Sequence, residues 1–336
     1  MQANNRTAAR LAWARLASAD PALDLQTASS DASSRSYWRG LSGGRSLIVM
    51  DSPPAQEDPR PWVEIGARLA SNGLHVPAVY AQDLEQGFLL IEDLGTRLYL
   101  PELNEGTADR LYGDAMNALL RIQTRLDFAA LPPYDHAFLL RELEVMPEWF
   151  LGRHLGHAPS GEERQVLDAT FKTLIDNAME QPRRFVHRDF HSRNLLVVEQ
   201  NGPGIIDFQG ALAGPIAYDL ASLLRDCYIA WDDERVEAWV EGYRQRLLDA
   251  KAIDNTISRE HFLRWFDLIG LQRHIKVLGQ FYRLWYRDGK SGYLADVPRV
   301  YHYVVAVARR YPELRDFVTL VENHARGLDL TKVTDA

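Results

Sequence analysis

Lysine is nearly missing from this sequence. Only five of its 38 basic residues are lysines (Lys172, Lys251, Lys276, Lys290 and Lys332), and residues 1–171 contain none. Chemistry that needs a lysine in the first half of the chain is therefore excluded, and arginine must supply every fixed cation there. Cysteine is scarcer still. Cys227 stands alone, which rules out an internal disulfide and a multi-cysteine metal site and suits a reducing, cytoplasmic setting. No run of about 18 apolar residues occurs, so no segment is expected to span a membrane. Arg10 and Arg15 interrupt the apolar positions Leu11, Trp13 and Leu16, so no secretory signal is expected at the start. A net charge of −8 argues against a nucleic-acid partner, which a basic balance would favour.

The 336 residues are 46% hydrophobic, enough to bury a sizeable core, and the length suggests roughly two domains. No internal repeat or low-complexity tract is present. Residues 6–18 read as an amphipathic helix. Strand-like runs at 36–39 and 46–50, separated by Gly40, Gly43 and Gly44, suggest a hairpin. A proline-rich stretch leads to a helix over 62–71 that stops at Asn72-Gly73, and 78–82 with 87–92 form a second hairpin. Beyond Gly95 the chain turns helical, with helices expected at 107–127, 137–151, 161–179, 217–230, 235–249, 258–287, 297–310 and 313–325. Ser160 to Glu163 has the spacing of a capping box. Strand-like residues at 185–186, 195–198 and 204–207 interrupt the helices. The expected architecture is α+β: a small N-terminal sheet lobe over 1–94 and a large helical C-terminal lobe over 95–336, with a cleft at the joint near 92–95.

The segment richest in chemistry is His187-Arg188-Asp189-Phe190-His191-Ser192-Arg193-Asn194, followed by Asp207-Phe208-Gln209. Asp189 and Asn194 lie on one tight loop, and Asp207 returns on the second strand of the 195–206 hairpin, so three oxygen donors converge. Mg²⁺ takes few protein carboxylates and completes its octahedron with water and phosphate oxygens. Asn194 and Asp207 suit that role, which leaves Asp189 to accept a proton from an attacking hydroxyl. Phosphoryl transfer asks mainly for positioning and charge neutralisation, and this set offers both.

The H-R-D-x-x-x-x-N spacing is that of the kinase catalytic loop, and Asp207 stands where the kinase metal-binding Asp stands. His191 two residues after Asp189, and the stretch Gly214-Pro215-Ile216-Ala217-Tyr218-Asp219-Leu220, make the chain resemble the aminoglycoside phosphotransferase-like kinases. Ile48 to Pro54, Phe88 to Gly95, Phe185 to Leu195 and Leu223 to Tyr228 narrow the likeness, over about residues 30–250, to the bacterial anomeric amino-sugar kinase family. That resemblance implies a two-lobed protein-kinase-like fold, ATP and Mg²⁺ as cofactors, and a small amino sugar (N-acetylmuramate or N-acetylglucosamine) phosphorylated at C1 during cell-wall sugar recycling. It implies that His187 packs under the loop and that Asp219 braces it. Gly210 departs from the pattern, since an acidic residue is expected after Asp-Phe-Gln.

Related kinases set a third-strand lysine, paired with a helix glutamate, against the nucleotide phosphates. Here Met50 or a neighbour fills that slot. Arg35, Arg39 and Arg45 are the candidate replacements, since arginine forks phosphate well, and Glu64 is the candidate acidic partner. No G-x-G-x-x-G is present; residues 31–36, with Ser33 at their centre, stand in its place, where small residues permit close backbone approach. By analogy with the kinase hinge, the backbones of Glu92 and Leu94 would meet adenine. For the acceptor, residues 261–287 carry Arg264, Arg273, Lys276, Arg283 and Arg287 against Asp267 alone, interleaved with aromatics that include Tyr282. A basic, aromatic wall suits an acidic sugar and repels a polycationic aminoglycoside. His191, Arg193 and Arg225 are further acceptor candidates. Two rival readings remain: an aminoglycoside, choline or homoserine kinase on the same core, and a non-catalytic pseudokinase. Nothing in the sequence sets an oligomeric state.

Overall fold

A continuous apolar run, Leu47 to Met50, forms the central strand of an antiparallel sheet. The computed structural model describes residues 2–30 and 35–332. The chain forms two compact units, each discontinuous in sequence. Met1–Ile122 goes with Arg193–Gly210, and Gln123–Ser192 goes with Ala211–Ala336.

In the first unit, helix α1 (Gln2–Ala17) precedes strands β1 (Gln26–Ser30), β2 (Ser36–Ser42) and β3 (Arg45–Asp51). Gly43 and Gly44, both at positive φ, close the β2–β3 hairpin, a turn that β-carbons would oppose. Helix α2 (Arg60–Ser71), strands β4 (Val79–Asp83) and β5 (Phe88–Glu92), and helices α3 (Tyr99–Glu102) and α4 (Ala108–Arg125) follow. The sheet runs β1-β2-β3-β5-β4. Its central strands bury Leu47 to Met50 and Phe88 to Ile91, and α1 joins that core through Ala14. One carboxylate fastens α1 to the sheet. Asp51 takes Arg10 Nη1 at 2.9 Å and Arg6 Nε at 2.8 Å, while the Arg10 guanidinium lies 3.6 Å from the Trp38 ring.

In the second unit, α5 (His136–Leu143) ends before Pro147, and a π-helical segment, Pro147–His154, replaces the end of the single helix expected over 137–151. Proline has no N–H with which to continue an α-helix. Helix α6 (Gly161–Glu180) starts with the expected capping box, and its Glu163 also accepts from His157 at 2.9 Å and from His324 at 2.7 Å. Strand β6 (Arg183–Val186) is followed in sequence by the short strands β7 (Leu195–Leu196) and β8 (Gly204–Ile205), which belong to the first unit, and then by β9 (Leu212–Pro215), which pairs back with β6. Helices α7 (Tyr218–Leu224), α8 (Asp233–Asp249), α9 (Arg259–Asp288), α10 (Val297–Ala308) and α11 (Arg315–Ala325) complete the chain. Helix α9 is buried along most of its length. A β-carbon at its Gly279 would sit 2.4 Å from the Val145 carbonyl oxygen, so that crossing requires glycine. No helix among the described residues is long and apolar enough to cross a membrane.

The β7–β8 hairpin is built into the first unit. Val197 N–H donates to Arg97 O and Ile205 N–H to His75 O, both at 2.8 Å, and the Phe208 ring lies 5.1 Å from that of Trp62. In packing, therefore, 95–122 and 193–210 go with the N-terminal sheet.

Candidate active site

The loop after β6 is held by two carboxylates from the second unit. Asp219, at the start of α7, accepts His187 N–H at 2.7 Å and Arg188 N–H at 3.0 Å. Asp226, just past α7, accepts Ser192 N–H at 2.9 Å. The bond from Asp226 to Tyr228 N–H at 3.1 Å also helps explain why α7 stops at Leu224, short of the residue 230 expected. Arg188 has φ 78°, a left-handed conformation that costs a non-glycine residue about 1–3 kcal/mol and tends to occur at functional sites. Burial pushes Asp219 up to about 7, with Asp189 adding to the shift and the two N–H donors opposing it. The His187 side chain is fully buried, 5.6 Å from the Phe190 ring.

Asp189 follows the strained Arg188. Burial raises its carboxyl, but Lys276, His191, Arg188 and Arg273 together outweigh burial and hold it below the usual carboxylate range. This is the state a proton acceptor needs. Behind it lies Glu142 of α5, which no sequence motif marks. Its Oε1 takes both Arg188 Nη2 and Lys276 Nζ at 2.8 Å, and its Oε2 accepts from the Tyr134 hydroxyl.

The first unit holds the other two motif residues. Asn194 Nδ2 lies 3.4 Å from Asp207 Oδ2, and Asp207 itself has φ 61°. Arg35 Nη2 sits 3.1 Å from Asp207 Oδ1, and Arg35 Nε sits 3.3 Å from Glu57 Oε1. A carboxylate and a carboxamide are hard oxygen donors of the kind Mg²⁺ takes, so this donor set fits the ion. The acidic partner of Arg35 is Glu57, in place of the expected Glu64, which lies on α2. Arg39 instead pairs with Asp93, Nε to Oδ2 at 2.6 Å, and Arg45 stacks on the Tyr80 ring at 4.3 Å.

Residues 24–254 match the phosphotransferase enzyme family. The chain belongs to this family. It is 46% identical over 310 residues to the N-acetylmuramate/N-acetylglucosamine kinase of Pseudomonas aeruginosa, covering 92% of this chain and 91% of that protein. The protein of the same name from Neisseria meningitidis serogroup B is 37% identical over 314 residues, covering 92% and 93%. Among solved structures, the choline kinase of Streptococcus pneumoniae superposes with TM-score 0.62 at 14% identity, over 86% of this chain and 94% of that one. An ADP-bound aminoglycoside phosphotransferase superposes at 0.58 with 17% identity, over 86% and 95%. These likenesses establish the kinase-like phosphotransferase fold, and the chain is an ATP-dependent phosphotransferase.

Within this phosphotransferase the remaining expectations divide. Ser33 lies outside the described residues. Glu92 donates its N–H to Ala78 O at 2.8 Å. The Leu94 side chain packs against Gly204. The expected acceptor wall over 261–287 is largely a core helix. Trp265, Phe266, Phe281 and Tyr282 are buried, and the Tyr282 hydroxyl is spent on Leu330 O at 2.8 Å, because α9 needs apolar residues around most of its circumference. Two of its cations are matched, Arg264 by Glu313 and Arg287 by Asp288, whereas Lys276 shares Glu142 with Arg188. Arg273 is buried with Nη1 3.1 Å from Cys227 Sγ. Arg225 pairs with Asp233 at 2.6 Å. The His191 ring meets that of Tyr228 edge-on, Arg193 is half-buried at the start of the 193–210 stretch, and Arg283 is half-buried on α9.

Proposed function

We propose that this phosphotransferase moves the γ-phosphate of ATP to the anomeric C1 hydroxyl of N-acetylmuramate and N-acetylglucosamine, a step in recycling cell-wall sugars. The observation that carries the reading is 46% identity, over nine-tenths of both chains, to a relative of that name. In this reading Asp189 takes the hydroxyl proton as the sugar oxygen bonds to the γ-phosphorus and the bond to the β-phosphate oxygen breaks, releasing ADP. The cations around Asp189 support it by keeping the carboxylate charged before the proton arrives. Asn194 and Asp207 would hold Mg²⁺, which when bound supplies charge neutralisation along the phosphates. Arg35, forked between Glu57 and Asp207, is the proposed substitute for the missing lysine. Asp219 fixes the loop by its two backbone bonds and takes no part in proton transfer. Nucleotide is assigned to residues 1–94 and acceptor to 95–336, with the backbones of Glu92 and Leu94 at the adenine.

The test is ³¹P and ¹³C NMR of the product from purified protein, ATP and Mg²⁺, with each amino sugar, kanamycin, choline and homoserine offered separately. A phosphomonoester coupled to C1 of the amino sugars is expected. Turnover of kanamycin, choline or homoserine alone, or none with any acceptor, would overturn the assignment.

A further inference from the structure

Glu142 gathers more positive charge than one carboxylate neutralises. Its Oε1 accepts from two cations at 2.8 Å, Arg188 and Lys276, while the donors at its Oε2, Tyr134 and Gln272, are neutral. The pair therefore keeps one unit of positive charge that Glu142 does not cancel. Neither cation is sealed in: the side chains are 22% and 18% exposed, against 9% for Glu142. Arg188 Nε is buried and makes no hydrogen bond. The ammonium has three donors, one of them used on Glu142. On α9, Gln272, Lys276 and Arg283 share a face, being four and seven residues apart. Gln272 Oε1 and Arg283 Nε on that face also lack hydrogen-bond partners. Arg188 adjoins Asp189, which places this cluster at the acceptor end of the reaction.

We propose that Lys276, with Arg188 beside it on Glu142, forms a subsite that binds a carboxylate carried by the acceptor. This rests on the amino-sugar reading above. The two sugars differ in the lactyl ether of N-acetylmuramate, whose carboxylate would meet the surplus cation, while the neutral sugar brings nothing to it. Lys276 is also the strongest of the charges holding Asp189 anionic, so its loss is expected to slow both sugars. The ratio of their kcat/KM values separates the two effects. Base tuning is common to both substrates, and carboxylate binding belongs to one.

The experiment compares kcat/KM for N-acetylmuramate and N-acetylglucosamine in the full-length wild type, Lys276→Met and Lys276→Arg. Lys276→Met weakens the hold on Asp189, which acts on both sugars alike, and leaves Glu142 matched one-to-one with Arg188. It is expected to shift the ratio about tenfold against N-acetylmuramate, the worth of one charge-assisted hydrogen bond, and Lys276→Arg to return it to within about threefold of the wild type. Should the methionine variant fail to fold, Lys276→Gln, which can still reach Glu142, is expected to show the same shift. An unchanged ratio in the neutral variants overturns the subsite. A wild type that phosphorylates neither sugar overturns the amino-sugar reading instead.

Discussion

Partners, more than position, set Arg35 apart from the other arginines of the N-terminal sheet. Asp93 takes Arg39, Tyr80 takes Arg45, and Asp207 with Glu57 takes Arg35. Arg35→Ala is therefore expected to raise the KM for ATP about tenfold, with Arg39→Ala and Arg45→Ala each changing it less than threefold. Steady-state kinetics at saturating acceptor checks this, and equal effects from all three would remove Arg35 from the role. Asp219 makes a different prediction. Its carboxyl lies near 7 in the fold against 3.8 unfolded, so the native state binds the extra proton and this group's contribution to stability falls as pH rises from about 4 to 7. His274 opposes it. Burial and Arg273 lower its imidazole from 6.5 to about 3, so the unfolded chain binds that proton and stability rises with pH across about 3 to 6.5. The two slopes offset between pH 4 and 6.5. Asp219→Asn should uncover the rise, steepening it by up to about 1.4 kcal/mol per pH unit in urea denaturation at pH 4.5, 5.5 and 6.5; a slope equal to that of the wild type would refute the assignment.

At the scale of elements, the parts legible in the sequence are those whose chemistry is local. The capping box of α6, the β2–β3 hairpin and the loop 187–194 each lie within 16 residues of sequence. Strand β1 is hidden because Gln-Thr-Ala-Ser-Ser has no apolar alternation, and β9 because Leu-Ala-Gly-Pro reads as a turn. The roles of Glu142 and Glu57 are hidden because their meaning is tertiary: Arg188 lies 46 positions from Glu142, and Arg35 lies 22 from Glu57. The aromatic spacing of α9 suggests a sugar platform because periodicity does not say which neighbours cover a face. Helix α1 depends on a similarly distant partner. Replacing Asp51 by Ala strands the guanidinium of Arg10, which is buried against Trp38, and breaking a buried pair costs about 3 kcal/mol or more. A matching loss in urea-unfolding free energy is expected, with faster amide exchange over residues 2–17; Arg10→Met, which removes the stranded charge, should recover part of it. No change in α1 exchange for Asp51→Ala would show that the clamp is dispensable.

At the scale of the whole molecule, the chain passes between its two compact units at three points, after Ile122, Ser192 and Gly210. A cut at the 94/95 joint would leave the N-terminal piece without α4 and without the hairpin that pairs with His75 and Arg97. Residues 1–94 expressed alone are expected to lack a cooperative urea transition and dispersed amide resonances, whereas the full chain shows both. A well-dispersed spectrum from 1–94 would mean that the sheet and α2 suffice. The same division bears on chemical labelling. All five lysines fall in the second unit, so an amine-directed acylating nucleotide or cross-linker finds no side chain to modify anywhere in 1–122 or 193–210. Affinity probes designed around a kinase lysine would meet only arginines among the basic side chains of the first unit other than histidine. A silent result in such a survey would reflect the wrong nucleophile rather than an empty nucleotide site.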